Sequence, residues 1–255
     1  MRAAIIGGTG IYGLEGEQRR ERVDTPYGGV EVSVQKAGDR EVVFLPRHGR
    51  GHATPPHKIN FRANLWALKE LAVTHIFATN AVGSAHPHWW PGELVIFQDF
   101  LDFTKARPLT FYDGGDQVVH LDVSEPYCPV LRKLLQEKAP AHGLSFAGEA
   151  VYCCTEGPRF ETAAEIRMYR QLGAHVVGMT GVPEVVLARE LGICYAGVGI
   201  ISNFCTGMSK EMTTEEILEA VERNKPKLTR LFLDIITHSH LSQEQCRCNR
   251  SLLIL

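Results

Sequence analysis

A chain of 255 residues has room for one large core, and 44% hydrophobic with 22% charged residues is the ordinary balance of a globular enzyme. A formal net charge of −2 argues against a general nucleic-acid binder, and no apolar run reaches the roughly 20 residues that span a bilayer. Met1 leads straight into Ala3-Ala4-Ile5-Ile6 with no separate signal-peptide regions, so a cytoplasmic protein is expected.

The predicted elements alternate along the chain. Residues 3–6 read as a strand ending in Gly7-Gly8-Thr9-Gly10, and 30–35 with 41–45 as a hairpin around Gly38-Asp39. Leu65, Leu68 and Leu71 put a helix over 60–71; 75–79 is a buried strand closed by a turn at Asn80-Ala81-Val82-Gly83. A strand over 94–97, a helix over 129–138 and a strand over 149–154 follow, then a helix over 162–172 stopped at Gly173. A strand over 174–177 leads through Gly178-Met179-Thr180-Gly181-Val182-Pro183 into a helix, with Pro183 suited to its first turn. Residues 193–201 form a glycine-containing strand. A long last helix opens at Thr213 or Thr214, with Glu216 in capping-box spacing from Thr213 and Pro226 inside. The pattern implies an α/β fold: one domain over 1–238, with a central mixed, partly barrel-like sheet flanked by helices, and a tail over 239–255 whose Leu252-Leu253-Ile254-Leu255 could dock.

Several segments carry chemistry. Gly8-Thr9-Gly10-Ile11-Tyr12-Gly13 matches G-x-G-x-x-G, yet a charged stretch follows and the next strand ends without an acid, so a dinucleotide site is set aside. Backbone N–H groups with the Thr9 hydroxyl suit a phosphate cradle instead. In Arg47-His48-Gly49-Arg50-Gly51-His52, Arg47 offers a forked contact to an oxyanion and His48 a donor. That loop with His57, like His86-Pro87-His88-Trp89-Trp90, matches no common zinc spacing, and the latter reads as an aromatic-packed surface turn. Small residues at 80–84 let a ligand approach the backbone. In Glu156-Gly157-Pro158-Arg159-Phe160-Glu161-Thr162, Phe160 can stack on a heterocycle and Glu161 can accept from ring N–H groups, or merely face a helix dipole. Asn203 offers a donor and an acceptor together. The seven cysteines follow no disulfide framework. Cys153, Cys154 and Cys194 read as buried thiols, and Cys246-Arg247-Cys248 as a pair in a polar tail that is either unpaired or closed in a strained ring.

Gly7-Gly8-Thr9-Gly10, Arg47-His48-Gly49, Glu156-Gly157-Pro158-Arg159-Phe160 and the run over 178–190 resemble, in order and spacing, the trimeric purine nucleoside phosphorylase and methylthioadenosine phosphorylase family. Phe111-Tyr112-Asp113-Gly114 and Ser124-Glu125-Pro126-Tyr127-Cys128-Pro129 extend the likeness on the methylthioadenosine side. The resemblance implies a nucleoside phosphorylase-like fold, a pentosyltransferase acting on a purine nucleoside with inorganic phosphate as co-substrate, no metal or organic cofactor, and a homotrimer or dimer of trimers. By the same resemblance, Thr9, Arg47, His48, the Ala81 backbone and Thr180 hold phosphate, and Met179 packs on the ribose. Phe160 packs on the base, while Glu161 and Asn203 read its edge, with Asn203 and His48 counted as catalytic. Thr214 and Ile217 line the 5′ pocket, and His120 reaches a neighbouring subunit's 5′ pocket. The methylthioadenosine branch typically has aspartate where Asn203 stands and serine where Glu161 stands; Asn with Glu suits hypoxanthine or guanine. The expectation is a 6-oxopurine nucleoside phosphorylase, with methylthioinosine or methylthioadenosine phosphorylase as the alternative. A ligand-binding sensor and a histidine-based metal protein are the non-catalytic competitors.

Overall fold

In β1 (Arg2–Gly7), Ala4 and Ile6 join one apolar cluster while Ala3 and Ile5 join another. A strand buried on both faces reads as an unbroken apolar run, which is why it was visible in the sequence. The computed structural model describes residues 2–7, 18–49, 51, 53–114, 117–208 and 214–255, without the side chains of 214–218, 220 and 221. The glycine-rich segment 8–13 and the capping pair Thr213 and Glu216 therefore lie outside the described residues or side chains.

The remaining strands are β2 (Arg19–Thr25), β3 (Gly28–Ala37), β4 (Arg40–Pro46), β5 (Val73–Ser84), β6 (Leu94–Phe103), β7 (Val119–Leu121), β8 (Phe146–Thr155), β9 (Val176–Gly178), β10 (Cys194–Phe204) and β11 (Leu252–Ile254). The helices are α1 (Phe61–Glu70), α2 (Pro129–Lys138), α3 (Ala163–Gln171), α4 (Glu184–Glu190) and α5 (Thr214–His238). Nine strands form a mixed sheet in the order β10-β6-β8-β9-β5-β1-β4-β3-β2, and an additional β10–β5 pairing closes its first five members into a barrel. The expected α/β fold, a central mixed and partly barrel-like sheet flanked by helices, is what forms.

Helices cover both sides of the sheet. α1 and α4 supply Phe61, Leu65, Leu68, Val185 and Leu187 to one cluster. α2 and α5 supply Leu131, Leu135, Leu228, Leu231, Phe232, Ile235 and Ile236 to the other. The α5 residues recur at three- and four-residue spacing, the mark of one buried helical stripe, and Phe232 stacks on Phe77 of β5 with ring centroids 5.3 Å apart. Pro226 lies inside α5 without ending it. α3 seats Ile166 and Tyr169 on Cys153 and Val177, and begins with a capping box between Thr162 and Glu165.

The structure corrects the sequence reading in places. The turn expected at 80–83 is strand: β5 runs to Ser84 because β10 pairs with it as far as Phe204 and β9 pairs with Gly83 and Ser84. Pro183 is the N-cap of α4 rather than part of its first turn. Cys246 and Cys248 are not in a polar setting; both are buried in the α2/α5 cluster, and β11 docks antiparallel to β7. The charged strand β2 carried no apolar signal because it is the exposed sheet edge, where charge discourages further pairing.

Candidate active site

β1, β4, β5 and β10 run parallel, so their C-terminal ends share one edge of the sheet. That edge is where α/β proteins gather ligand-binding loops. Gly7 stands opposite Pro46 there, and the Arg47 N–H bonds the Gly7 carbonyl at 3.0 Å. Ala81 is the one exposed residue of β5, which opens backbone at this point of an otherwise covered strand.

Arg47 is fully buried at the side chain and its fork engages Glu184: Nε to Oε2 at 2.6 Å and Nη2 to Oε1 at 2.7 Å. Nη1 donates to the Thr79 carbonyl at 2.7 Å. Among the described residues these bonds use three of the guanidinium's five N–H groups. The sequence reading gave the fork to a ligand; in the structure the Glu184 carboxylate holds it. Burial alone would lower the Arg47 pKa, but the Glu184 carboxylate outweighs it and raises it, so the charge is permanent. Tyr195 donates to Glu184 Oε1 at 2.6 Å, completing a buried Tyr–Glu–Arg chain. Sequence analysis assigns Glu184 no role; a glutamate at a helix start carries no local signal of a distant partner beyond its favourable place on the helix dipole.

His48 is buried, with Nδ1 2.8 Å from the Thr54 carbonyl. A carbonyl only accepts, so Nδ1 carries the proton, and donation from Nε2 to an anion requires the imidazolium form. Thr180 is also buried and accepts from Asn80 Nδ2 at 2.9 Å, which leaves its own hydroxyl proton to be donated. Tyr152 fixes the turn beneath: its oxygen accepts from the N–H of Thr180 and of Gly181, each at 3.1 Å. A Cβ on Gly181 would fall 2.6 Å from the Tyr152 ring, so the small residue serves this packing as much as any ligand. Thr9 lies outside the described residues.

The other end of the site comes from the loop after β8 and the end of β10. Gly157 has φ +67°, and a Cβ there would meet Met179 Sδ at 2.6 Å, so glycine lets this loop close on Met179. Arg107, buried and missed in the sequence, ties the loops together: it donates to the carbonyls of Val182 at 2.7 Å, Glu156 at 2.7 Å and Thr155 at 3.2 Å. Glu161 accepts from the Thr155 hydroxyl at 2.6 Å. Its dipole role is taken by Glu165, which leaves Glu161 turned toward β8. Phe160 is 73% exposed.

A register shift in the β10–β5 pairing between Ile201 and Asn203 sets Asn203 opposite Gly83. Its Oδ1 accepts from the Ser202 hydroxyl at 2.7 Å and its Nδ2 donates to the Phe204 carbonyl at 2.8 Å. His120 is exposed on β7, opposite Leu253. Thr214 opens α5 and Ile217 lies in its first turn; their side chains are outside the description. Among the described residues the histidine clusters gather no metal-ligand set. The segment 86–90 is a surface turn, with His86 and Trp89 ring centroids 4.3 Å apart. No described helix is long and apolar enough to cross a membrane.

A buried, polar corner around Arg47, His48 and Thr180 stands beside a more open end carrying Phe160, Glu161 and Asn203, all set on the loop edge of an α/β sheet. A family model described as the phosphorylase superfamily matches residues 2–237, and the chain belongs to that family. It is 50% identical to a 6-oxopurine nucleoside phosphorylase of Pyrococcus furiosus, over 98% of this chain and 97% of that one. It is also 50% identical to a probable S-methyl-5′-thioinosine phosphorylase of Methanopyrus kandleri, over 97% and 96%. Among solved structures, a Schistosoma mansoni adenosine/methylthioadenosine phosphorylase in complex with adenine aligns with TM-score 0.90 and 31% identity, over 100% of this chain and 98% of that one.

Proposed function

We propose that the chain is a 6-oxopurine nucleoside phosphorylase: phosphate cleaves inosine or guanosine to the free base and ribose 1-phosphate. The observation that carries the base assignment is the setting of residue 203. Its Nδ2 faces the Phe204 carbonyl at 2.8 Å, a position that demands a donor. Asparagine supplies one at every pH, whereas a carboxylate there would need to hold a proton. The second N–H of that amide serves purine N7 or O6, and Glu161, oriented by Thr155, accepts from N1–H and from guanine's 2-amino group.

Phosphate occupies the corner formed by Arg47, His48, Thr180 and the Ala81 backbone, with Thr9 assigned to it from the sequence motif alone. There it is both nucleophile at C1′ and a counter-charge to the oxocarbenium-like sugar. As the C1′–N9 bond breaks, its electron pair moves into the purine, and the Asn203 amide stabilises the charge at N7. Met179 lies against the ribose and Phe160 covers the base. His120, exposed on β7, completes the 5′ pocket of a neighbouring copy, so the working unit is a homotrimer or a dimer of trimers.

A methylthioinosine phosphorylase is the second reading, favoured by the relative from Methanopyrus kandleri. Base release from inosine, guanosine, methylthioinosine and methylthioadenosine, each with and without phosphate, tests both. Strict phosphate dependence with inosine or guanosine preferred supports the proposal. Preference for methylthioinosine reassigns the 5′ pocket alone; preference for methylthioadenosine overturns the base assignment.

A further inference from the structure

Four of the seven cysteines, drawn from three separate stretches of the chain, meet at one point. Cys128 is the N-cap of α2, Cys194 is the first residue of β10, and Cys246 and Cys248 come from the C-terminal segment. All four are buried, and their sulfur atoms lie within 4.8 Å of one another. Cys194 and Cys246 Sγ are 3.5 Å apart. A tetrahedral zinc tetrathiolate, with Zn–S of about 2.3 Å, has sulfur–sulfur edges of about 3.8 Å. The cluster thus has the ligand type, number and size of a structural zinc site. The other three cysteines, Cys153, Cys154 and Cys205, are excluded from it.

The geometry points to a resident zinc ion bound by Cys128, Cys194, Cys246 and Cys248, a structural site separate from the phosphorolysis chemistry. Binding is balanced by loss of four thiol protons for one Zn²⁺, leaving a centre of charge −2. Two features face that charge. Cys128 sits at the N-terminus of α2, whose first N–H groups have no helical partner. Arg189, buried in α4 with an Nε unpartnered among the described residues, lies within electrostatic reach of Cys248.

The site also has mechanical work to do. Between α5 and the chain end the only regular element is the three-residue β11, and ordering such a segment costs about 1–2 kcal/mol per residue in backbone entropy. A metal joining this segment to α2 and β10 holds it in place, and with it β11, which pairs with β7 and sets His120.

The test uses the full chain, expressed with zinc and purified without chelator. Elemental analysis is expected to find one zinc per chain, lost in Cys246→Ser and retained in Cys205→Ser. To keep the test independent of how the cluster variant folds, the wild-type protein is also stripped and titrated with Co²⁺ under reducing conditions. The d–d absorption of a tetrahedral cobalt thiolate is expected, together with seven titratable thiols in denaturant without reductant. Hydrogen exchange over 118–122 and 246–255 should rise when the metal is removed. A wild-type protein with neither zinc nor cobalt binding overturns the proposal, and so does a count of only three free thiols, which would mean two disulfides.

Discussion

The two ends of the candidate site are built on opposite principles. At the anion end, Arg47, His48, Thr180 and Glu184 are buried, and each is fixed by a specific hydrogen bond or ion pair. At the base end, Phe160 stands 73% exposed, and Glu161 and Asn203 are only partly covered. The first arrangement is prepared before any ligand arrives, so little reorganisation is needed when phosphate binds. The second is open and carries a few polar atoms, and under the proposed function it is the end that would discriminate between 6-oxo and 6-amino purines. Residues at the buried end should therefore couple binding to stability, and residues at the open end should change selectivity with the fold intact.

The largest effect tests that coupling. Glu184→Ala leaves a buried guanidinium without its carboxylate, and breaking a buried pair in this way costs about 3–5 kcal/mol. Urea unfolding should record that loss, and the KM for phosphate should rise with it. A variant that keeps its stability would show that Arg47 re-pairs, and the contrast between the ends would fail.

Asn203→Asp comes next and acts at the open end. Loss of the permanent donor should cut kcat/KM for inosine about 10- to 100-fold, the worth of one polar contact to a charged or partly charged group. Activity on adenosine-type substrates should gain relative to it, and more so at low pH, where the new carboxyl holds its proton. Competition assays with paired substrates measure the ratio; an unchanged preference would remove residue 203 from base selection.

Phe160→Ala should raise the nucleoside KM by a few-fold to roughly tenfold, the range of an aromatic contact of about 0.5–1.5 kcal/mol. Its exposure means that stability should stay within about 0.5 kcal/mol of the parent. An unfolding curve beside the KM measurement separates the two quantities.

The smallest effect concerns the helix that follows Phe160. The Arg159 guanidinium and the Thr162 N–H bind the Glu165 carboxylate and pull its pKa down to about 2. A lowered folded pKa means a contribution present above the ordinary carboxylate range and lost as pH falls through about 2. Glu165→Gln should flatten that part of the acid-unfolding profile by a small amount, since the pair is largely exposed and screened. A profile identical to the parent would place the acid response elsewhere.

Local pattern made much of this chain legible. The apolar runs of β1 and β10, the helical spacing of α1 and α2 and the glycine stop after α3 all followed from periodicity and turn chemistry, because their determinants lie within a few residues of one another. The motifs Arg47-His48, Thr180 and Phe160-Glu161 were visible for the same reason, as side chains at strand and helix ends. The rest required distant partners. Arg47's fork belongs to Glu184, 137 residues away. Arg107 clamps loops 48 to 75 residues downstream.

By itself, then, the sequence determined the alternation of strands and helices, the motifs proposed to hold phosphate and the amide at position 203, each a property of neighbouring residues. Tertiary structure alone decided three things. Closure of β10 on β5 extended β5 through the expected turn and placed Asn203 opposite Gly83. Folding gave the buried guanidinium its carboxylate. It also carried a segment that reads as a polar tail into the core, where Cys246 and Cys248 meet Cys128 and Cys194. The physical reason is common to all three: pairing across a sheet and charge or thiol contacts in a core depend on which elements the chain brings together, and no local pattern encodes that.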